Sequence, residues 1–157
     1  MKLVLKQRPF SWLDKYDIYD ISMKPVYHVE GQLSWGHCLK IFNNSNTELG
    51  MVKQKLWTFM PVFEIYQNDR KIGSINKEFA WLEPKYNINF LNWHVKGNIF
   101  QWNYSIFDGN NNLVAVISKQ YFQWTDTYVL DIINPKDTLY VLMFVIALDA
   151  EKCSRGD

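Results

Sequence analysis

Cysteine and histidine are scarce in this chain, which excludes most sites that depend on them. Only two of the 157 residues are cysteine and three are histidine. Cys38 and Cys153 are too few for the disulfide framework of a small secreted domain, and no histidine has a metal-ligand spacing. We therefore expect a reducing compartment, no metal and no other cofactor, with Cys38 as a small core residue.

A targeting sequence is also lacking at the start of the chain. Residues 3–5 are the only apolar stretch between the first two lysines, whereas the core of a signal peptide has about 7 to 15 apolar residues. This pattern predicts a protein of the cytoplasm.

The chain also lacks an excess of either positive or negative charge. The chain has 17 basic and 16 acidic residues, a net charge of +1 and no block of like charges. Since nucleic-acid binding needs a basic patch, we predict that the protein does not bind DNA or RNA.

Glycine and proline number only 7 and 5, beside 10 Phe, 9 Tyr and 7 Trp. This composition excludes a disordered chain and predicts a single packed domain over residues 1–157.

No arrangement of catalytic residues is found in the sequence. Residues 31–36 lack the spacing of a nucleophile elbow, and residues 108–112 lack the glycine and the glutamate of a calcium loop. His37 cannot readily serve as the base for Cys38, because adjacent residues of a strand point to opposite faces. We interpret both stretches as hairpin loops and predict a non-enzymatic protein.

Most of the chain alternates short β-prone runs with turn residues such as those at 43–46 and 108–110. Because these turns are short, consecutive strands should be antiparallel neighbours. The predicted strands cover residues 2–7, 16–22, 26–30, 37–42, 49–55, 62–67, 71–76, 86–91, 93–99, 101–107, 113–119 and 128–132.

The C-terminal part departs from the strand pattern. Asn134 is a candidate N-cap, Pro135 suits a first helical turn, and residues 139–148 are all apolar before the polar stretch 149–152. This apolar segment rises about 15 Å, half of a hydrocarbon core of about 30 Å, so burial inside protein is favoured. A flat sheet would shield only one side of such a helix. We therefore predict a closed twelve-stranded antiparallel β-barrel that encloses a central hydrophobic C-terminal helix.

A strand, corner and strand unit recurs along the chain. Residues 49–65 align without a gap with residues 72–88, which in turn align with residues 114–130. Phe63, Tyr86 and Tyr128 occupy equivalent positions, and Tyr16 belongs to a fourth, similar fragment. We predict that each of these rings opens a strand and that all four face the same side of the barrel wall.

Two segments resemble a known protein family. Residues 116–128, Val-Ile-Ser-Lys-Gln-Tyr-Phe-Gln-Trp-Thr-Asp-Thr-Tyr, and residues 140–150, Tyr-Val-Leu-Met-Phe-Val-Ile-Ala-Leu-Asp-Ala, look like the LURP-one-related family. That family is related to tubby C-terminal domains and phospholipid scramblases. The resemblance covers nearly the whole chain in strand order, and its specific part lies in residues 108–150. It implies the same tubby-like barrel around a central helix that the patterning predicts.

The resemblance also singles out a set of signature residues. These are Ser118, Lys119, Trp124, Asp126, Tyr128 and Asp149. We interpret their role as structural, with aromatic rings that fill barrel corners and carboxylates that accept hydrogen bonds from turn amides.

The resemblance implies function only loosely, since tubby domains bind phosphoinositide head groups and scramblases are linked to lipid movement. Four lysines near strand ends are candidate contacts for anionic lipid, although such lysines usually keep sheets soluble. They are Lys53, Lys55, Lys77 and Lys119. The leading hypothesis is a non-enzymatic binding or scaffold module that docks on anionic phospholipid as a peripheral protein. Two alternatives stay open: a scramblase-like protein whose helix leaves the barrel, and a regulatory domain whose exposed aromatic residues bind a partner protein.

Overall fold

The protein consists of twelve β-strands followed by a short 3-10 helix and one α-helix. The computed structural model describes residues 1–6, 15–78, 85–89, 91–99, 101–122 and 125–155. The strands are β1 Lys2–Lys6, β2 Tyr16–Asp20, β3 Pro25–Gly31, β4 Cys38–Asn43, β5 Glu48–Gln54, β6 Val62–Gln67, β7 Arg70–Glu78, β8 Lys85–Ile88, β9 His94–Asn98, β10 Asn103–Phe107, β11 Leu113–Phe122 and β12 Thr125–Ile132. The 3-10 helix covers Pro135–Asp137, and α1 covers Thr138–Arg155.

All twelve strands belong to one antiparallel sheet. Their order is β8-β7-β6-β5-β4-β3-β2-β1-β12-β11-β10-β9, so all sequence neighbours except β8 and β9 pair, and β1 pairs with β12. The two end strands, β8 and β9, are linked by a single antiparallel bridge between Ile88 and Trp93. The sheet therefore curls into a nearly closed barrel, which confirms the predicted fold.

The α1 helix lies inside this barrel. Every residue from 141 to 148 has at most 5% of its surface exposed. The side chain of Asn134 accepts a hydrogen bond from the N–H of Lys136 at 3.1 Å and so caps the preceding 3-10 turn. Each buried Leu, Ile or Phe contributes about 1.5–3 kcal/mol, which is why a helix without a polar face is stable here. The helix continues to Arg155, beyond its predicted end in the polar stretch, and Glu151 in that stretch is still buried.

Strand β5 approaches the helix closely at Gly50. A Cβ atom at this position would overlap the Cε of Met143 and lie 3.0 Å from the backbone oxygen of Tyr66. The absence of a side chain on Gly50 therefore lets the buried Met143 fill the space between the wall and the helix.

The two ends of the barrel differ in their connections. At the end that we name the turn end, tight turns join β2 to β3, β4 to β5, β6 to β7 and β10 to β11. At the opposite end, the loop end, residues 32–37 join β3 to β4 and residues 55–61 join β5 to β6. Strand β12 finishes at the turn end, so α1 enters the barrel there and its last turns lie at the loop end.

The repeat prediction is confirmed in part. Tyr16 is the first residue of β2, and Phe63 and Tyr86 are the second residues of β6 and β8. Tyr128 is instead the fourth residue of its strand, because β12 begins at Thr125. All four rings pack against the hydrophobic core, so they share the inner face of the wall as predicted.

Candidate functional site

The loop end of the barrel carries four large apolar residues that are almost fully exposed. Leu33 and Trp35 have 90% and 87% of their surface exposed, and Trp57 and Phe59 have 99% and 95%. We name these four residues the aromatic rim. Clusters of large exposed apolar residues are uncommon on soluble monomers and mark contacts with a membrane or a partner. The rim is therefore the first candidate for a functional surface.

Hydrogen bonds hold the two loops of the rim side by side. The N–H of Gln54 donates to the backbone oxygen of His37 at 2.7 Å, and Oε1 of Gln54 accepts from the N–H of His37 at 3.2 Å. Gly36 has a φ angle of 91°, and a Cβ atom there would lie 2.9 Å from Cδ2 of Leu56 in the second loop. The positive φ angle favours glycine at position 36, and the approach of Leu56 shows that the two loops form one surface.

Trp57 has a backbone conformation that is unusual for a bulky residue. Its φ angle is 59°, in the left-handed region that glycine and asparagine favour. The indole gains no burial in exchange, because the residue is 99% exposed. Backbone strain of this kind is typical of binding sites, where the surrounding structure maintains it for function.

Two of the four lysines predicted as lipid contacts stand beside the rim. Lys53 on β5 and Lys55, which follows that strand, are both exposed. Lys53 lies opposite Glu64 in the sheet. The Glu64 carboxylate accepts hydrogen bonds from Nζ of Lys71 at 2.6 Å and from the hydroxyl of Tyr66 at 2.9 Å, which lower its pKa. The charge of Lys55 lowers the pKa of Glu64 further, to a smaller extent, while the hydrogen bonds of Glu64 go to Lys71 and Tyr66.

Lys77 does not lie at the surface, which corrects the prediction of an exposed four-lysine patch. Its Nζ lies 2.7 Å from Oε1 of Glu151, and the two side chains are only 8% and 5% exposed. The hydroxyl of Tyr86 donates to Oε2 of Glu151 at 2.6 Å. Burial raises the pKa of Glu151, and the lysine turns inward because a buried carboxylate needs a counter-charge.

A second carboxyl group, that of Asp149, lies beneath the loop end. Its Oδ1 is enclosed and accepts no hydrogen bond from the residues that the structure describes. Burial raises the pKa of Asp149 to about 6, against an opposing effect of the charge on Lys152. Burial and the charge of Asp149 together raise the pKa of Tyr104, whose hydroxyl is also enclosed. Asp149 therefore changes its charge closer to neutral pH than an ordinary carboxyl group does.

The other signature residues lie in or near β11 and β12. Ser118 and Lys119 are half-buried on β11, and Tyr128, opposite Lys119 on β12, is fully buried. The backbone of Asp126 belongs to β12, whereas Trp124 lies outside the described residues. Tyr128 is thus a core residue, and a structural role for the rest of the signature stays a prediction.

The stretch that resembles a calcium loop in sequence is a hairpin turn, as predicted. Oδ1 of Asp108 accepts hydrogen bonds from the N–H groups of Asn110 and Asn112, both at 2.8 Å, and Oδ2 accepts from the side chain of Asn112 at 2.9 Å. These bonds lower the pKa of Asp108. Across the described ranges, no three side chains of His, Cys, Asp or Glu come together as metal ligands would. Cys38 is buried, as predicted.

The sequence of this chain is similar to those of known proteins over nearly its whole length. A sequence model of the LURP-one-related family matches residues 1–149. The chain belongs to the LURP-one-related family. A protein of Bacillus subtilis (strain 168) named YxjI is 31% identical over 150 residues, which cover 95% of this chain and 92% of YxjI. The family predicted from residues 116–128 and 140–150 is therefore confirmed.

A solved structure shares the architecture of this LURP-one-related domain. The X-ray structure of a protein from Arabidopsis thaliana superposes with a TM-score of 0.63 at 12% identity, and the match covers 96% of this chain and 91% of that one. At this identity the likeness shows the fold alone. In the part of the chain that the structure describes, no helix has the length and hydropathy that a membrane span requires.

Proposed function

We propose that this LURP-one-related barrel is a non-enzymatic binding module whose loop end docks on anionic phospholipid at a membrane surface. The observation that carries the proposal is the aromatic rim, four large apolar residues that are each at least 87% exposed. Lys53 and Lys55 stand beside it and are exposed as well. Membrane interfaces favour this combination, because aromatic rings enter the head-group region while ammonium groups meet anionic lipid.

The rim and the lysines contribute different parts of the binding energy. Removing a large apolar side chain from water stabilises by about 1.5–3 kcal/mol, and a lysine near an anionic surface adds about 1 kcal/mol. The lysines act over a Debye length of about 8 Å at physiological salt, so binding weakens as salt rises. The net charge of +1 supplies no long-range attraction, and docking is therefore weak and reversible.

The geometry gives less support to a scramblase-like activity in which α1 leaves the barrel. Residues 141–148 are buried on every side, and Lys77 and Tyr86 both bind Glu151 near the end of the helix. Release of α1 would expose its apolar surface and break a buried ion pair. Docking through the rim requires neither change.

Vesicle flotation tests the proposal. The wild-type protein should float with phosphatidylserine vesicles at low salt, stay in solution with phosphatidylcholine vesicles, and be released as salt is added. Trp57→Asn removes an exposed ring and suits the left-handed backbone, so it should weaken flotation without lowering the thermal midpoint. Lys53→Glu combined with Lys55→Glu should also weaken flotation, because it places negative charge beside the rim.

The matched control reverses two lysines at the turn end. Lys24 and Lys136 are exposed there, and the variant Lys24→Glu with Lys136→Glu should float as the wild type does. Equal loss in this control would mean that net charge alone governs binding and that the loop end is not the docking surface. If the wild type ignores anionic vesicles at low salt, membrane docking is wrong, and a protein partner becomes the better occupant of the rim.

A further inference from the structure

The barrel wall is open along one seam, between β8 and β9. Within the described residues these strands are the two ends of the sheet, and the bridge between Ile88 and Trp93 is the one backbone pairing between them. No ladder continues from this bridge along Lys85–Ile88 and His94–Asn98. A groove of about 610 Å³ lies between the two strands. The seam is therefore a place where backbone donors and acceptors are available to another chain.

The alternation of β8 decides which of its backbone groups face the seam. On an antiparallel strand, alternate residues direct their N–H and C=O groups to opposite sides. The N–H of Asn89 donates to the backbone oxygen of Ser74 on β7 at 3.2 Å, so Asn87 also faces β7. The backbone groups of Tyr86 and Ile88 consequently face the seam, and Ile88 forms the bridge.

Strand β9 presents matching groups from the other side. The bridge pairs Trp93 with Ile88, so the backbone groups of Trp93 face the seam. By the same alternation, the N–H and C=O groups of Val95 and Gly97 face the seam, whereas those of Lys96 face β10.

The groove is apolar toward the barrel interior and mainly basic at its outer margin. Trp93 and Ile99 line it from the inside and belong to the hydrophobic core. Lys85 and Lys96 line it from the outside and are exposed, while Glu78 is the acidic residue among the described lining residues. A segment lying in the groove would meet apolar surface on one face and positive charge on the other.

We propose that the seam binds an extended, acidic segment of a partner protein as an additional β-strand. The segment pairs its backbone with both open edges at once, which is the mode of recognition by strand addition. Its side chains alternate, so apolar residues contact the groove floor and acidic residues contact Lys85 and Lys96. The fitting sequence alternates apolar and acidic residues over four or five positions, the lengths of β8 and β9.

The charges at the seam favour a partner over a second copy of this chain. Edge-to-edge pairing of two copies would bring the Lys85 and Lys96 side chains of both copies together, and like charges at paired edges repel. An acidic strand removes that repulsion. The seam lies on the barrel wall and the rim at its loop end, so strand addition does not rest on membrane docking.

Blocked peptides with glutamate at every second position, and Val, Ile, Leu or Phe between, are the probe. Added to the isotope-labelled full chain, at least one of them should bind with a Kd below about 1 mM. Binding should slow hydrogen exchange at the amides of Tyr86 and Val95, because both become donors to the added strand. Amides of the loops over residues 32–37 and 55–61 should be unaffected.

Charge reversal supplies the matched variants. Lys85→Glu combined with Lys96→Glu should weaken binding of the best glutamate peptide by about tenfold and should gain binding of the same peptide with lysine in place of glutamate. Lys53→Glu combined with Lys55→Glu, the variant that weakens vesicle flotation, should keep wild-type peptide affinity. The two proposals therefore fail separately.

Three results would overturn strand addition. The first is that no peptide of the set binds at about 1 mM. The second is that a peptide N-methylated at alternate backbone positions binds as tightly, which would show that backbone pairing is not used. The third is that protection of the Tyr86 and Val95 amides depends on protein concentration rather than on peptide, which would assign the seam to a second copy of the chain.

Discussion

The Nζ of Lys77 lies 2.7 Å from Oε1 of Glu151, although the two residues are 74 positions apart in the chain. Lys77 belongs to β7 and Glu151 to α1, so the pair links the C-terminal part of the helix to the barrel wall. Tyr86 on β8 adds a hydrogen bond of 2.6 Å to the same carboxylate. Because both charges are buried, each depends on the other for compensation.

Removal of the Lys77 charge should destabilise the protein strongly. Lys77→Met leaves a buried carboxylate without its cation, and such losses cost about 3–5 kcal/mol of the free energy of unfolding. Adding Glu151→Leu in the same chain should recover most of that loss. Lys71→Met is the control, because Lys71 pairs with Glu64 at 2.6 Å while 49% of its side chain is exposed, and urea unfolding should show little change. Equal losses in the two single variants would refute the buried pair.

The enclosed helix predicts a contrast between two phenylalanines. Phe144 is 1% exposed and lies edge-on to the rings of Tyr86 and Tyr104, with centroids 6.2 Å and 6.1 Å away. Phe144→Ala should cost about 3–5 kcal/mol through lost burial and the cavity left behind. Phe59→Ala, at a residue that is 95% exposed, should change stability by less than about 0.5 kcal/mol. Similar melting temperatures for the two variants in calorimetry would contradict the enclosed position of α1.

The raised pKa of Asp149 predicts a contribution to the free energy of unfolding that favours the folded state at acid pH. Burial raises the pKa of Asp149 to about 6, whereas an unfolded chain has a value of about 3.9. The folded state therefore binds the proton more tightly. This stabilisation is complete below about pH 3.9 and is lost as the pH rises through about 6.

Asp149→Asn isolates this contribution from that of other titrating groups. The variant cannot ionise at this position, so it should exceed the wild type in free energy of unfolding by about 1–3 kcal/mol at pH 7. The difference should shrink toward zero near pH 4. Urea unfolding of both proteins at several pH values gives the difference curve directly. A difference that is flat with pH, or that grows toward acid, would show that Asp149 does not titrate as its burial indicates.

The sequence alone predicts most of the fold, because the fold depends on local patterns. Alternating apolar residues and turn chemistry mark the strands, and ten apolar residues without a polar face require enclosure on every side. The end of α1 was less predictable, since Asp149 ends the apolar run and yet Glu151, two residues later, is still buried at the loop end. Its partner Lys77 comes from a distant strand, and only the closed barrel brings them together.

The candidate site was predictable only in part, because the exposure of its residues depends on the folded structure and not on local sequence. Lys53 and Lys55 are exposed, as expected for lysines near strand ends. Lys77 also lies near the end of a strand, but it pairs with a buried carboxylate. Composition shows seven tryptophans and does not show which are exposed. Residues such as Trp35 and Trp57 resemble core residues by type, and exposure depends on loop geometry that Gly36 and a left-handed backbone create. The one sequence signal for an exposed loop is that apolar and polar residues stop alternating at residues 55–61.

Paramagnetic broadening on anionic bicelles tests the central claim, which is that the loop end meets the membrane. The bicelles carry a lipid spin-labelled in its acyl chain, and the readout is the set of tryptophan indole N–H signals of the isotope-labelled protein. Trp35 and Trp57 are exposed on the rim, whereas Trp93 and Trp102 are 7% and 2% exposed. The account predicts strong broadening for the first two and little for the second two. Equal broadening of all four, or intact rim signals from bicelle-bound protein, would contradict it.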